Sequence, residues 1–153
     1  MTKIYTALFL SLLTAGTAIA GEKVKQAKKI FTQYVTLAEK FDPAVAELYS
    51  NTAKIQNTRI YTEGRRKVMS LDGKKYKVLI RIGMPFSKAR GDTNKYTEVN
   101  YVKKDSKVTI TATRFSNLKK YSSPLTLVVG ADTDGKWRIL EEISRSRPLP
   151  KPQ

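Results

Sequence analysis

The chain reads as an α+β protein, helices first and an antiparallel sheet after them. Two patterns predict this. Between Glu22 and Phe41 apolar residues recur at steps of three and four, the spacing of one helical face. Beyond residue 95, Thr- and Val-rich runs alternate between two faces and are separated by turn sequences, the signature of strands joined by short connections. Helices followed by such strands bury their faces against one another in two layers.

The first twenty residues stand apart. Lys3 precedes an apolar stretch from Ile4 to Leu13, and small residues then lead to Ala18-Ile19-Ala20. Charge, apolar run and small-residue end read as a secretory signal cleaved after Ala20, which places the mature chain in the periplasm or outside the cell. The run is shorter than the roughly 20 residues that cross a bilayer, and no later run is longer, so no transmembrane segment is expected in the mature chain. The domain then spans 21–147, with 148–153 a Pro-rich, disordered tail. A domain of that size buries about two-thirds of its unfolded surface and needs no covalent staple. With no cysteine there is none, and no lipid can be attached through one.

The opening helix carries Val24, Ala27, Phe31, Tyr34, Ala38 and Phe41 on its apolar stripe, widened by Ile30 and Leu37, while Lys25, Lys28, Lys29 and Lys40 lie off it. Asp42-Pro43 is an N-cap followed by a first-turn proline, which predicts a short second helix over 43–49. Residues 53–61 read as an irregular strand, followed by a Gly64 loop and a short strand at 67–69. Ser70 or Asp72 then caps a helix carrying Tyr76, Leu79, Ile80, Gly83 and Met84, which Pro85 is expected to kink or end. Residues 88–94 are polar and loop-like. The strand at 96–102 places Thr97, Val99 and Tyr101 on one face. That at 107–115 places Val108, Ile110, Ala112 and Arg114 together. A short strand at 125–129 precedes the hairpin turn Asp132-Thr133-Asp134-Gly135. The last strand, 137–144, sets Trp137, Ile139, Glu141 and Ile143 against Arg138, Leu140 and Glu142.

Three stretches resemble the NTF2-like superfamily. They are the first helix with Phe31-x-x-Tyr34 and Phe41-Asp42-Pro43 running into Leu48-Tyr49, the Gly-bearing polar loop before the Tyr96 strand, and the closing Asp134-Gly135-Lys136-Trp137-Arg138-Ile139. The resemblance covers most of residues 24–145. It implies a cone in which a curved antiparallel sheet packs against N-terminal helices, with a pocket between them and homodimerisation through the sheet.

Lys and Arg outnumber Asp and Glu by 29 to 13, a formal net charge of +16, of which Lys3 would leave with the signal. Such a charge favours anionic partners: a small anionic molecule, envelope lipid head groups or an acidic protein. The alternative is a solvated basic surface with no specific partner. The cations are scattered in pairs rather than gathered on one recognition helix, so no nucleic-acid partner is expected.

With no His and no Cys, the imidazole base, the thiolate nucleophile and the soft metal ligands are absent. Neither a hydrolase elbow nor a phosphate-cradling glycine loop occurs. Asp132-Thr133-Asp134-Gly135 lacks the remaining ligands of a calcium loop and reads as a turn, so no metal and no cofactor is expected. What remains are polar residues on apolar faces: Arg114 with Val108 and Ile110, Glu141 with Ile139 and Ile143, Tyr101 with Val99. One reading pairs Arg114 and Glu141 structurally or sets them at a wet sheet edge. The other places them in a pocket, Arg114 gripping an anion and Tyr34, Tyr101 and Trp137 forming a wall with polar tips. Asp92, beside Gly91, is the further pocket candidate. An acid–base enzyme would draw on Asp92, Glu98 or Glu141 with Tyr34 or Tyr101 as proton donor. A His-dependent dehydratase pattern cannot occur. The leading expectation is an exported binding module for an anionic or amphiphilic small ligand or an acidic protein surface. The alternatives are an envelope interaction scaffold and an acid–base isomerase or dehydratase.

Overall fold

The computed structural model describes residues 13–148, and the side chains of 20–148. Most of the expected export signal and of the Pro-rich tail lie outside these residues. Helix α1 runs from Leu13 to Glu39, continuous through Ala20. Its buried contribution begins only at Val24 and continues through Ala27, Ile30, Phe31 and Tyr34, as the stripe requires. Asp42 accepts a hydrogen bond from the Ala44 amide at 2.8 Å and starts a 3-10 helix, Pro43–Leu48, that buries Val45 and Ala46.

Six strands follow: β1 (Tyr49–Ile60), β2 (Arg66–Asp72), β3 (Asn94–Lys104), β4 (Lys107–Ser116), β5 (Tyr121–Ala131) and β6 (Trp137–Ser146). They form one curved sheet in the order β2-β1-β6-β5-β4-β3, antiparallel except where β1 lies parallel to β6. The two helices pack on its inner face. That face has a graded composition set by register. The row Val108–Val129–Ile139 is apolar and fully buried, and the next, Ile110–Leu127, meets the buried Glu142 on β6. Beyond them the same three strands continue as Arg114, Ser116, Ser123, Ser144 and Ser146.

Helix α2 (Gly73–Arg90) joins β2 to β3, capped by Asp72, whose carboxylate accepts from the Lys75 amide at 2.8 Å. Gly73 is required by crowding. A Cβ there would stand 1.9 Å from the Ser50 carbonyl oxygen, so α2 starts tight against β1. Pro85 does not end this helix: α2 continues to Arg90 and stops at Gly91, whose φ of 63° is the left-handed C-cap. Pro85 lies on the exposed side, where water can take the carbonyl it frees one turn back.

Two strand faces also differ from simple alternation, each through one inserted residue. In β3, Thr97 pairs with Thr113 but Asn100 with Thr111, and Glu98 adopts φ 53°. The extra residue moves Tyr96 onto the inner face with Val99 and Tyr101, and leaves Thr97 exposed. In β6, Val129 pairs with Ile139 and Val128 with Glu141, so Leu140 is the insertion. The inner face therefore runs Ile139, Glu142, Ser144. Glu141 leaves it, and Ile143 is half exposed.

Candidate functional site

The polar end of the inner face opens into two adjoining hollows between α1, α2 and the sheet. The first, about 160 Å³, has walls that include Tyr34, Tyr49, Tyr76 and Tyr96 with Val45 and Met84. The second, about 250 Å³, is lined among others by Arg114, Lys119, Tyr121, Glu142, Ser144 and Asn57. Tyr76, Asp92 and Asn94 border both and join them into one polar cleft. Shallower hollows above 500 Å³ also occur: one between residues 20–28 of α1 and Lys103, one along β1 and β2 that Glu141 and Glu142 both border, and one across β3, β4 and β5.

Glu142 is the deepest charged group, 2 % exposed. The Tyr49 hydroxyl donates to its Oε2 at 2.5 Å and the Tyr76 hydroxyl to its Oε1 at 3.4 Å. Among the described residues no Lys or Arg nitrogen lies within 4 Å of it. Each tyrosine reaches it from a different element, Tyr49 from the first residue of β1 and Tyr76 from the first turn of α2. Their rings meet edge to face with centroids 5.2 Å apart. Burial raises the Tyr49 phenol well above its ordinary value, and the Glu142 charge adds to this. Burial and then Glu142 act likewise on Tyr76. Both therefore remain protonated donors. Tyr34, 8 % exposed, is raised first by burial and then by Tyr96, whose ring meets it at 5.9 Å.

Arg114 lines the second hollow from β4, two strands from Glu142 on the same face. Its Nη2 donates to the Arg145 carbonyl at 2.5 Å, and it makes no ion pair within 4 Å among the described residues. Burial opposes its charge, but Tyr34, Tyr96 and Glu142 outweigh this, and the guanidinium is held above its ordinary value. It stays cationic with most of its donors free. Lys119 is pushed below the usual lysine range, first by burial and then by the neighbouring cations Arg59, Arg114 and Arg90, against the pull of Asp92. The rim of the cleft is thus crowded with positive charge. A side-chain lattice on β1 and β6 stiffens the floor. Asn57 Nδ2 donates to Ser144 Oγ at 2.9 Å, and Ser146 Oγ donates to Asn57 Oδ1 at 2.7 Å.

Of the residues singled out from the sequence, the structure brings Tyr34, Asp92 and Arg114 to this cleft. Three lie elsewhere. Tyr101 packs on Phe31 with its ring centroid 6.4 Å away, lies beneath Lys28 at 5.6 Å and borders neither hollow. Trp137 is at the start of β6, beside the apolar end of the sheet and a strand length from Ser144. Glu141 faces an outer groove beside β1 and β2, because the Leu140 insertion turned it outward and Glu142 inward. Tyr49, Tyr76 and Tyr96 are cleft residues that alternation alone did not gather. Their signal was compositional, since a chain with eight tyrosines and one tryptophan carries its large aromatic area on side chains that end in a donor.

Known structures match this arrangement over most of the chain. An NTF2-like protein with a cystatin-like fold from Novosphingobium aromaticivorans aligns over 95 % of this chain and 94 % of its own, with a TM-score of 0.61 at 14 % identity. The chain has the NTF2-like fold. An NTF2-like protein of unknown function from Pseudomonas putida covers 86 % of this chain and 90 % of its own, with a TM-score of 0.64 at 7 % identity. A provisionally assigned dehydratase of the NTF2-like family from Streptomyces avermitilis covers 82 % and 96 %, with a TM-score of 0.60 at 15 % identity. No protein-family profile and no curated protein matches the sequence. At these identities the NTF2-like likeness is one of architecture, and the function has to be argued from the cleft.

Proposed function

We propose that this NTF2-like chain is an exported binding protein whose cleft holds a small anionic or amphiphilic molecule. The observation that carries the reading is Arg114: a half-buried guanidinium lining the hollow, kept charged, with one donor committed to the Arg145 carbonyl and no carboxylate within 4 Å among the described residues. Charges taken out of water are normally paired, and an unpaired one facing a hollow is suited to a ligand anion. Lys119 at the rim adds to the attraction, and the tyrosine wall supplies apolar faces with hydroxyl tips for the body of the ligand. Export rests on the Lys3–Ala20 pattern. Cleavage after Ala20 would leave α1 from Gly21 onward with all of its core-forming residues. Native mass spectrometry of the protein secreted by its own host, followed by titration with benzoate, 4-hydroxybenzoate and decanoate, tests the binding claim. The protein is expected to carry or bind a carboxylate, and Arg114→Met to lose it. A wild-type protein that carries nothing and ignores every probe ends this reading.

Glu142 favours a second reading. A buried carboxylate held by two protonated tyrosine hydroxyls has the parts for moving a proton at a bound carbon acid, as an isomerase or dehydratase would need. Its test is Glu142→Gln, which should abolish turnover of an enolisable ligand found in the cleft while leaving the ligand bound.

A further inference from the structure

Helix α2 has two apolar sides. Tyr76, Ile80 and Met84 face the cleft. On the other side Val78, Leu79, Ile82 and Phe86 stand 48, 46, 59 and 61 % exposed. A surface helix ordinarily turns charge to solvent, so an apolar outer stripe needs a reason. The charges of α2 are all of one sign: Lys74, Lys75, Lys77, Arg81, Lys88 and Arg90, with no Asp or Glu. Lys74, Arg81 and Lys88 recur every seven residues and so run along one flank of the stripe. Glu47, outside the helix, neutralises part of this through Lys77 at 3.7 Å and through Arg81. Asp72 lies 3.7 Å from Lys75. Lys74, Lys88 and Arg90 have no ion pair within 4 Å among the described residues. The strand that leads into α2 repeats the combination, with Arg66 and Lys67 next to exposed Val68 and Met69.

We infer that the outer side of α2 docks on an anionic lipid surface, with Val78, Leu79, Ile82 and Phe86 entering the headgroup boundary and the flanking cations meeting lipid phosphates. Apolar projections bordered by long cationic side chains match a plane that is negative outside and apolar beneath. Six cations and no Asp or Glu on one helix, with an apolar stripe along it, favour a surface negative over its whole plane, as a bilayer is, over a single acidic protein patch. Charge complementarity comes from the six cations of α2 and from the chain's net charge of +16.

The test is sedimentation of the full-length mature protein with vesicles of phosphatidylglycerol mixed with phosphatidylcholine, against vesicles of phosphatidylcholine alone. Binding is expected only to the anionic vesicles and should weaken as salt rises. The double variant Ile82→Asp/Phe86→Asp should bind about tenfold more weakly or worse, at an unchanged melting temperature, because neither side chain lines the cleft. Should that variant lose stability, Phe86→Trp decides in its place: its added fluorescence should shift to the blue on anionic vesicles. The inference is overturned if the wild type ignores anionic vesicles, if the double variant binds them as well as the wild type, or if Phe86→Trp shows no shift. It is equally overturned if the double variant abolishes a lipid-free dimer, for the occupant is then a second copy of the chain.

Discussion

The two ends of the inner sheet face are built on opposite principles. At one end Val108, Ile110, Leu127, Val129 and Ile139 are packed to exclusion under Ala27, Ile30 and Phe31 of α1. At the other the same strands present Arg114, Ser123, Glu142 and Ser144, and the space is left partly open. Apolar burial without voids stabilises a fold most directly, whereas buried charge and empty volume both cost free energy. The difference teaches where stability and function separate: the filled end holds the cone together, and the hollow end keeps groups that a purely structural core would replace.

Substitutions can break this division. The largest effect is expected at the filled end. Leu127→Ala removes a side chain with 0 % exposure from the middle strand row and should cost about 2–5 kcal/mol in chemical denaturation, through lost burial and the cavity left behind. A loss no greater than that of a surface change would mean that the apolar end does not carry the fold.

Alkali should attack from the hollow end. The Tyr34, Tyr49 and Tyr76 phenols are all raised above their ordinary value of 10.0, first by burial. A group with a raised folded-state value contributes stability that is fully present below the unfolded value and is lost as pH rises beyond it. Stability should therefore decline above about pH 10, and these three tyrosines should ionise only as the chain unfolds, read as coincident changes in phenolate absorbance and circular dichroism. Free titration of all the tyrosines in the folded protein would show the cleft to be wetter than its geometry implies.

Arg114→Met should separate the two ends more finely. It is expected to leave stability within about 1 kcal/mol of the parent, or to raise it, because it replaces a half-buried, unpaired charge with an apolar chain of similar length. Ligand retention should disappear. A large loss of stability would make Arg114 a structural residue. The smallest effect is expected at Glu141→Gln, within about 0.5 kcal/mol and with binding intact, since this carboxylate lies across the sheet from the cleft. A loss of binding equal to that of Arg114→Met would mean that Glu141 faces the cleft after all.

These sites also show why reading the chain succeeded unevenly. The stripe of α1 and the run from Val108 to Arg114 were legible because each is an uninterrupted period against one neighbour, and Arg114 followed from it. Glu141 was chosen over Glu142 by counting twos from Ile139, and the count fails at a single residue that has no partner on β5. Tyr96 was missed in the same way, at Glu98 of β3. Tyr49 and Tyr76 meet at Glu142 from elements 27 positions apart in the chain, a convergence no local pattern encodes. Pro85 does not stop α2, because the cost of a proline depends on whether the carbonyl it frees faces water, and that is decided by how α2 lies on β1.

From its residues alone the chain determined its α+β class, its cationic surface, the absence of cysteine and histidine chemistry, and the apolar periods that build the filled end. These depend on side-chain type and on spacing within one element. The tertiary structure decided which carboxylate points inward, how four tyrosines enclose a hollow, and that the outer side of α2 stays apolar. Those depend on pairing between strands and on packing between elements, where one unpaired residue reverses a face and no neighbour along the chain records it.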